Sequence, residues 1–162
     1  MKQRCRMPTV WGIIQQAGGL IGLRRQYVRI ENPPYERLCI ESIGTGPRGL
    51  DLISVAHYYE QEGDQMKDPD MTFEIQIEFA PEGGTPINAW FYPISFEQSP
   101  NIYWVHCWDQ DGKLMAWNLS GAISFACTWD RNIHEQGFPQ AFPEARKAQR
   151  TEAALKALSL TA

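Results

Sequence analysis

The sequence predicts an α+β fold: a mostly antiparallel sheet of five to seven strands, with helices near the N-terminus, after the last hairpin and at the C-terminus. Residues 71–79 alternate apolar and polar side chains, as a strand with one buried face does. Strand-like runs also follow one another across turn residues without intervening helices, which disfavours a doubly wound parallel sheet. Helical periodicity returns only in the last third of the chain.

The first half of the chain contains one predicted helix and four predicted strands. The helix has apolar side chains at helical spacing and ends at a glycine pair. The strands are separated by an Asn-Pro-Pro break, a glycine-rich connection and an acid-rich connection. In order, these elements are helix 8–17 and strands 24–31, 35–43, 50–60 and 71–79.

The second half begins with aromatic strands and ends with helices. Pro93 confines the first of these strands to a sheet edge or a bulge, and Asp111-Gly112 predicts a hairpin between the next two. The last helix follows Pro143 and is moderately amphipathic and basic. In order, the elements are strands 87–96, 102–108 and 114–117 and helices 119–133 and 144–158.

Length and composition predict a single globular domain over residues 1–162. The chain is 43% hydrophobic and 21% charged, typical of a folded domain. Its formal net charge of -4 disfavours a nucleic-acid partner. The charge is unevenly spread, because the first 31 residues are basic and residues 51–82 are acidic. Both termini carry basic residues, in the N-terminal segment and in the last helix.

The cysteines and the apolar runs predict a cytoplasmic protein. The four cysteines are scattered without a C-x-x-C pair, which is typical of reduced intracellular thiols. The N-terminus lacks an apolar run of signal-peptide length, and no run reaches the roughly 20 apolar residues that a membrane span requires. We therefore expect no membrane partner.

The segments VRIENPPYERLCIESIGTGPRGLDLISVAHYYEQEGDQMKDPDMTFEI and WDRNIHEQGF resemble a family of small uncharacterised bacterial proteins. Its members are common on plasmids, integrative elements and phages, and the family is a domain of unknown function. The likeness covers residues 24–138 and excludes the last helix. The resemblance implies a mobile-element setting and supplies no catalytic residues.

The acid-rich connection is the candidate metal site. Carboxylates are the ligands that Mg²⁺, Mn²⁺ and Ca²⁺ prefer, although the spacing is not that of an EF-hand. The alternative is a solvated turn, because glycine and Asp-Pro favour turns. A restriction-type nuclease core is disfavoured by the spacing and by Gln76 where a lysine is needed. The candidate ligands are Glu60, Glu62, Asp64, Asp68 and Asp70.

Four further residues are candidates for binding. His57 and Tyr59 alternate on one predicted strand, so their side chains share a face. Trp104 and Trp108 could stack on a ligand, although packing in a core or at a protein interface is the alternative for both. None of the histidines has a zinc-type ligand spacing, and we identify no catalytic residue.

These patterns favour a non-enzymatic protein-interaction module, an accessory protein of a mobile element that binds a host or element-encoded protein. Blocking a defence nuclease by acidic mimicry of nucleic acid is a narrower version of this hypothesis. The alternative is a metal-dependent hydrolytic enzyme that uses residues 60–70, and a weaker one is nucleic-acid binding through the basic termini. We expect no cofactor, although a divalent cation is possible and the enzyme hypothesis requires one. A second copy of the chain is an alternative partner.

Overall fold

The computed structural model describes residues 3–99 and 103–161, without the side chains at 103–105 and 117. Ten helices and strands lie within these residues. In chain order they are α1 (Pro8–Gln16), α2 (Gly19–Arg25), β1 (Val28–Asn32), β2 (Tyr35–Thr45), β3 (Asp51–Gln61), β4 (Asp64–Phe79), β5 (Pro86–Gln98), β6 (Tyr103–His106), α3 (Ala116–Glu135) and α4 (Phe138–Thr161).

The six described strands form one antiparallel sheet in which every strand pairs with its neighbours in sequence. Short turns between alternating segments produce this order, because hairpins join antiparallel strands directly. The α+β prediction is confirmed, as are the helices at the N-terminus, after the last strand and at the C-terminus.

The N-terminal prediction missed a helix. Residues 24 and 25 were expected in a strand, but they end α2, and β1 begins at Val28. Gly18 and Gly19 have positive φ angles of 97° and 72°, which break α1 and start α2. Gly22 then lies so close to α1 that a Cβ there would be 2.0 Å from the carbonyl oxygen of Ala17. Glycine therefore permits two short helices to pack where periodicity predicted one.

The acid-rich connection is a hairpin and not a long loop. β3 and β4 pair continuously up to Gln61 and Asp64, so β4 begins seven residues before the predicted strand 71–79. Glu62 and Gly63 form the turn with φ angles of 52° and 86°, a pair of positive values typical of a type I′ turn. The backbone hydrogen bonds between β3 and β4 outweigh the weak strand propensity of this polar sequence.

The C-terminal elements also differ from the prediction. Strand 114–117 is reduced to one bridge between Trp108 and Leu114, and α3 begins at Ala116. Helix α4 begins at Phe138, so Pro143 lies inside it and not ahead of it. Residue 102, the predicted start of a strand, lies outside the described residues.

The core lies between the helices and one face of the sheet. Burying these apolar side chains is the main favourable term in folding. No helix among the described residues is long and apolar enough to cross a membrane. The largest side chains that are almost fully buried include Met7, Ile13, Ile14, Leu23, Ile30, Leu38, Ile40, Ile53, Met71, Phe73, Phe91 and Phe138.

Candidate functional site

A groove of about 370 Å³ opens where β2, β3, β4 and the end of α3 meet. Its lining includes Glu36 of β2, His57 of β3, Asp68 of β4 and Trp129 of α3. Every lining residue belongs to one of the two segments that carry the family resemblance, residues 28–75 and 129–138. We call this feature the His57 groove.

The imidazole of His57 is fixed among aromatic rings. It is 8% exposed, and its ring centroid lies 5.5 Å from that of Trp129 and 5.4 Å from that of Phe138. Its Nδ1 lies 3.0 Å from the carbonyl oxygen of Glu36 and donates to it in the matching tautomer. Burial lowers the pKa of His57 despite this hydrogen bond, so the groove holds a neutral imidazole at physiological pH.

Two carboxyl groups give the groove its negative charge. Burial raises the pKa of Glu36, and the nearby negative charge of Asp68 raises it further. Asp68 accepts a hydrogen bond of 2.7 Å from the side chain of Gln98. Within the described residues, neither carboxyl group forms an ion pair. A cation in the groove would therefore relieve the repulsion between them.

The wall of the groove also holds an unmet donor. Trp129 is 5% exposed, and its indole N–H is buried without a hydrogen-bond partner among the described residues. A buried donor without an acceptor costs about 1–3 kcal/mol. The groove thus combines negative charge with aromatic surface, and the indole N–H of Trp129 remains buried.

Residues 9–139 match the sequence model of a family described as a domain of unknown function, DUF6908. The match includes the helices α1 to α3, all six strands and the start of α4. The chain belongs to the DUF6908 family. No curated protein and no solved structure matches it. Membership in a family of unknown function, predicted from the motifs, is confirmed, and the matched region also includes α1.

In this DUF6908 domain the predicted metal ligands are dispersed. Glu60, Glu62 and Asp64 lie exposed at the tip of the β3–β4 hairpin, whereas Asp68 lines the His57 groove. Asp70 is buried. No group of three or more His, Cys, Asp or Glu residues in the described part of the chain could hold a metal ion.

Asp70 belongs to a polar cluster on the sheet face opposite the helices. It accepts a hydrogen bond of 2.7 Å from Ser54 and lies 3.2 Å from Lys67 Nζ. Lys67 also contacts Glu97 at 2.8 Å. Burial acts to lower the pKa of Lys67, but these two acids outweigh it and raise the value. Asp70 is therefore already neutralised by a lysine.

The predicted binding residues whose side chains are described do not converge. His57 faces the helices. Tyr59 lies near the tip of the hairpin, paired with Met66. Trp108 lies near Arg48, whose guanidinium carbon is 5.4 Å from its ring centroid. The side chain of Trp104 lies outside the described residues. Of the other three, only His57 lines the groove.

Arginine side chains also lie over two aromatic rings of β5. Arg48 lies 3.9 Å from the ring centroid of Tyr92, and Arg4 and Arg6 lie 4.0 and 4.8 Å from that of Trp90. Guanidinium groups are attracted to aromatic faces. Because these arginines occupy the ring faces, the rings offer less surface on which a base could stack.

Sequence reasoning missed the arginine contacts and the groove partners Glu36 and Trp129. The arginines reach Trp90 because Cys5 pairs with Phe91 of β5 through two hydrogen bonds of 2.9 Å. The alternation Arg-Cys-Arg at residues 4–6 was the available signal for this edge pairing. No local sequence pattern predicts that Glu36 and Trp129, which are 93 positions apart, line the same groove as His57.

Proposed function

We propose that this protein is a non-enzymatic interaction module and that its His57 groove receives an arginine or lysine side chain of a partner protein. The observation that carries the proposal is that Glu36, Asp68, His57 and Trp129 line one groove. Two carboxylates without ion-pair partners, beside aromatic surface, match the chemistry of a basic side chain.

The burial and packing of the His57 ring support binding over acid–base catalysis. Its Nδ1 is committed to the carbonyl of Glu36, and the ring is packed between Trp129 and Phe138. A ring held in this way shapes the floor of the groove and adds no positive charge that would repel a basic side chain.

The setting of the interaction belongs to the same proposal. The resemblance implies a bacterial plasmid, integrative element or phage, so the partner would be a host or element-encoded protein in the cytoplasm. Inhibition of a defence nuclease is the narrower version. The exposed acids at the hairpin tip, Glu60, Glu62 and Asp64, support it because they could face the basic surface that binds nucleic acid.

The test is affinity capture from a bacterial host lysate with the tagged protein and two charge-matched double variants. Glu36→Gln/Asp68→Asn neutralises the groove, and Glu82→Gln/Asp111→Asn removes the same charge from exposed positions away from the groove and the hairpin tip. We expect wild type and this control variant to retain one stoichiometric partner that the groove variant loses. Binding of that partner should weaken with salt.

Two results would contradict the proposal. A stoichiometric partner that binds the groove variant as tightly as wild type would place the interface elsewhere. The absence of any stoichiometric partner in several host lysates would argue against an interaction module. Unfolding curves in urea provide the control for folding. Both variants should be folded, because Glu36 and Asp68 are only partly buried.

A further inference from the structure

A second groove, of about 320 Å³, lies between α2 and α4. Three arginines line it: Arg25 from the end of α2, and Arg146 and Arg150 from successive turns of α4. No Asp or Glu is among its lining residues. The basic N-terminal segment and the basic last helix, far apart in sequence, therefore meet at one place.

The walls of this groove are held in position by hydrogen bonds. Arg146 donates to the carbonyl of Gln16 at the end of α1, and the buried Gln149 donates to the carbonyl of Tyr27 at 2.9 Å. Residues 146 and 150 are one turn apart, so their side chains share a face of α4. The Arg146 guanidinium and the wall formed by Gln149 are thus positioned before any ligand arrives.

The neighbouring arginines are neutralised, whereas those of the groove are not. Arg24 pairs with Asp51, and Arg29 pairs with Glu152 at 2.5 Å. Arg25, Arg146 and Arg150 form no ion pair with any described residue. Three like charges in one small groove repel one another. A bound anion would attract all three guanidinium groups and so offset this repulsion.

We propose that the α2–α4 groove binds a single phosphate group, free or at the end of a small ligand, with Arg25 and Arg150 as its principal contacts. Phosphate suits the site because its several oxygens can accept paired hydrogen bonds from more than one guanidinium group. The site shares no residue with the His57 groove, so the two proposals stand or fall separately.

A compact ligand fits better than a nucleic-acid backbone. The adjoining groove, which shares Arg25 and Gln149 with the first, is lined by Arg24, Arg29 and Lys156 as well as by Glu41 and Glu152. Arg24 and Arg29 are already paired with acids, and Glu41 offsets Lys156. An extended polyanion would therefore gain little beyond the three arginines, whereas one phosphate group can use them.

Helix ends give another account of two of the arginines. Cations are stabilised at helix C-termini, and Arg25 ends α2 while Arg146 contacts the end of α1. That account leaves Arg150 unexplained. It also predicts that replacing Arg25 lowers stability equally with and without phosphate, whereas a phosphate site makes the loss depend on the anion.

The experiment is calorimetric titration at constant ionic strength with inorganic phosphate, adenosine 5′-monophosphate, adenosine and a long oligonucleotide that lacks a terminal phosphate. We expect saturable binding of phosphate or the monophosphate and none of adenosine. Arg25→Gln and Arg150→Gln should each weaken binding by about tenfold, the effect of losing charge-assisted hydrogen bonds. The control is Arg131→Gln, the same charge change on the exposed side of α3, which should bind as wild type does.

Three results would overturn the proposal. They are no saturable binding of either phosphate compound, equal weakening by Arg131→Gln, and binding only to long oligonucleotides lacking a terminal phosphate. The first would leave the arginines as helix-end contacts, the second would indicate general charge attraction, and the third would indicate a backbone-tracking surface. Binding of the monophosphate but not of free phosphate would identify a small phosphorylated ligand as the source.

Discussion

The two faces of the sheet bury their side chains by different means. The face under the helices buries apolar residues such as Phe73 and Phe91, both 0% exposed. The opposite face buries two carboxyl groups: Glu74 is 0% exposed and Asp70 is 9% exposed. Each lies beside polar partners. The first face gains free energy from leaving water, whereas the second must compensate the groups that it removes from water.

Glu74 shows how the second face achieves this. Its Oε1 accepts a 3.0 Å hydrogen bond from the backbone N–H of Arg48. Its Oε2 has no hydrogen bond among the described residues and is compensated by charge alone, 3.5 Å from Arg48 Nε. The loop that carries Arg48 folds down tightly because Gly46 has no side chain. A Cβ at Gly46 would lie 2.2 Å from the Glu74 Cγ. Burial on this face therefore depends on one loop and one residue without a side chain.

The largest effect should come from the apolar face. We expect Phe73→Ala to destabilise the fold by about 3–5 kcal/mol through lost burial and a cavity. Phe79, on the same strand but 54% exposed, is the matched control. Phe79→Ala should change the free energy of unfolding in urea far less, and equal losses would refute the contrast.

A smaller effect should come from the second face. Gly46→Ala should cost about 1–3 kcal/mol, because the new methyl group forces the loop away from Glu74. Gly121→Ala, in α3 with open space around it, should instead stabilise by up to about 1 kcal/mol. Thermal and urea unfolding measure both. A neutral Gly46→Ala would show that the loop relaxes without cost.

His57 is a titratable group on the apolar face of the sheet, so the stability of that face should depend on pH. Its pKa lies below the ordinary value of about 6.5 that it regains on unfolding. The unfolded chain therefore takes up a proton first as pH falls. We expect stability to be lost below about pH 6.5, at up to about 1.4 kcal/mol per pH unit, and to level off below the folded pKa.

The check is the free energy of unfolding in urea from pH 7 to pH 5 for wild type and His57→Phe. Phenylalanine loses the hydrogen bond to Glu36, so the variant should be less stable at pH 7. Its stability should nevertheless fall less steeply with acid. Parallel curves would show that another group causes the acid sensitivity.

The smallest effect should come from the hairpin tip, beyond both faces. Glu62 has a φ of 52°, which costs a residue with a side chain about 1–2 kcal/mol. Asparagine tolerates this conformation and forms the preferred Asn-Gly pair with Gly63. Glu62→Asn should therefore stabilise by about 0.5–1 kcal/mol in urea unfolding. Destabilisation would indicate that the Glu62 carboxylate has a role in the fold.

Much of the fold was predictable because it rests on local patterns. The alternation of Phe73 and Ile75 with Glu74 placed the apolar residues on one side of β4, and consecutive turns implied an antiparallel order. The helix boundaries were less predictable. Gly18 and Gly19 separate two helices only because α2 can pack against α1 through Gly22, which is a tertiary contact.

The sequence by itself determined the α+β class and the family, because periodicity and motifs are properties of neighbouring residues. Only the tertiary structure decided that Glu36 and Trp129 meet His57, and that Arg25 meets Arg150. It also decided that the acids of residues 60–70 separate. Paired strands and packed helices bring distant positions together. The register shift in β4 between Lys67 and Asp70 breaks the regular alternation and turns Asp68 and Asp70 to opposite faces.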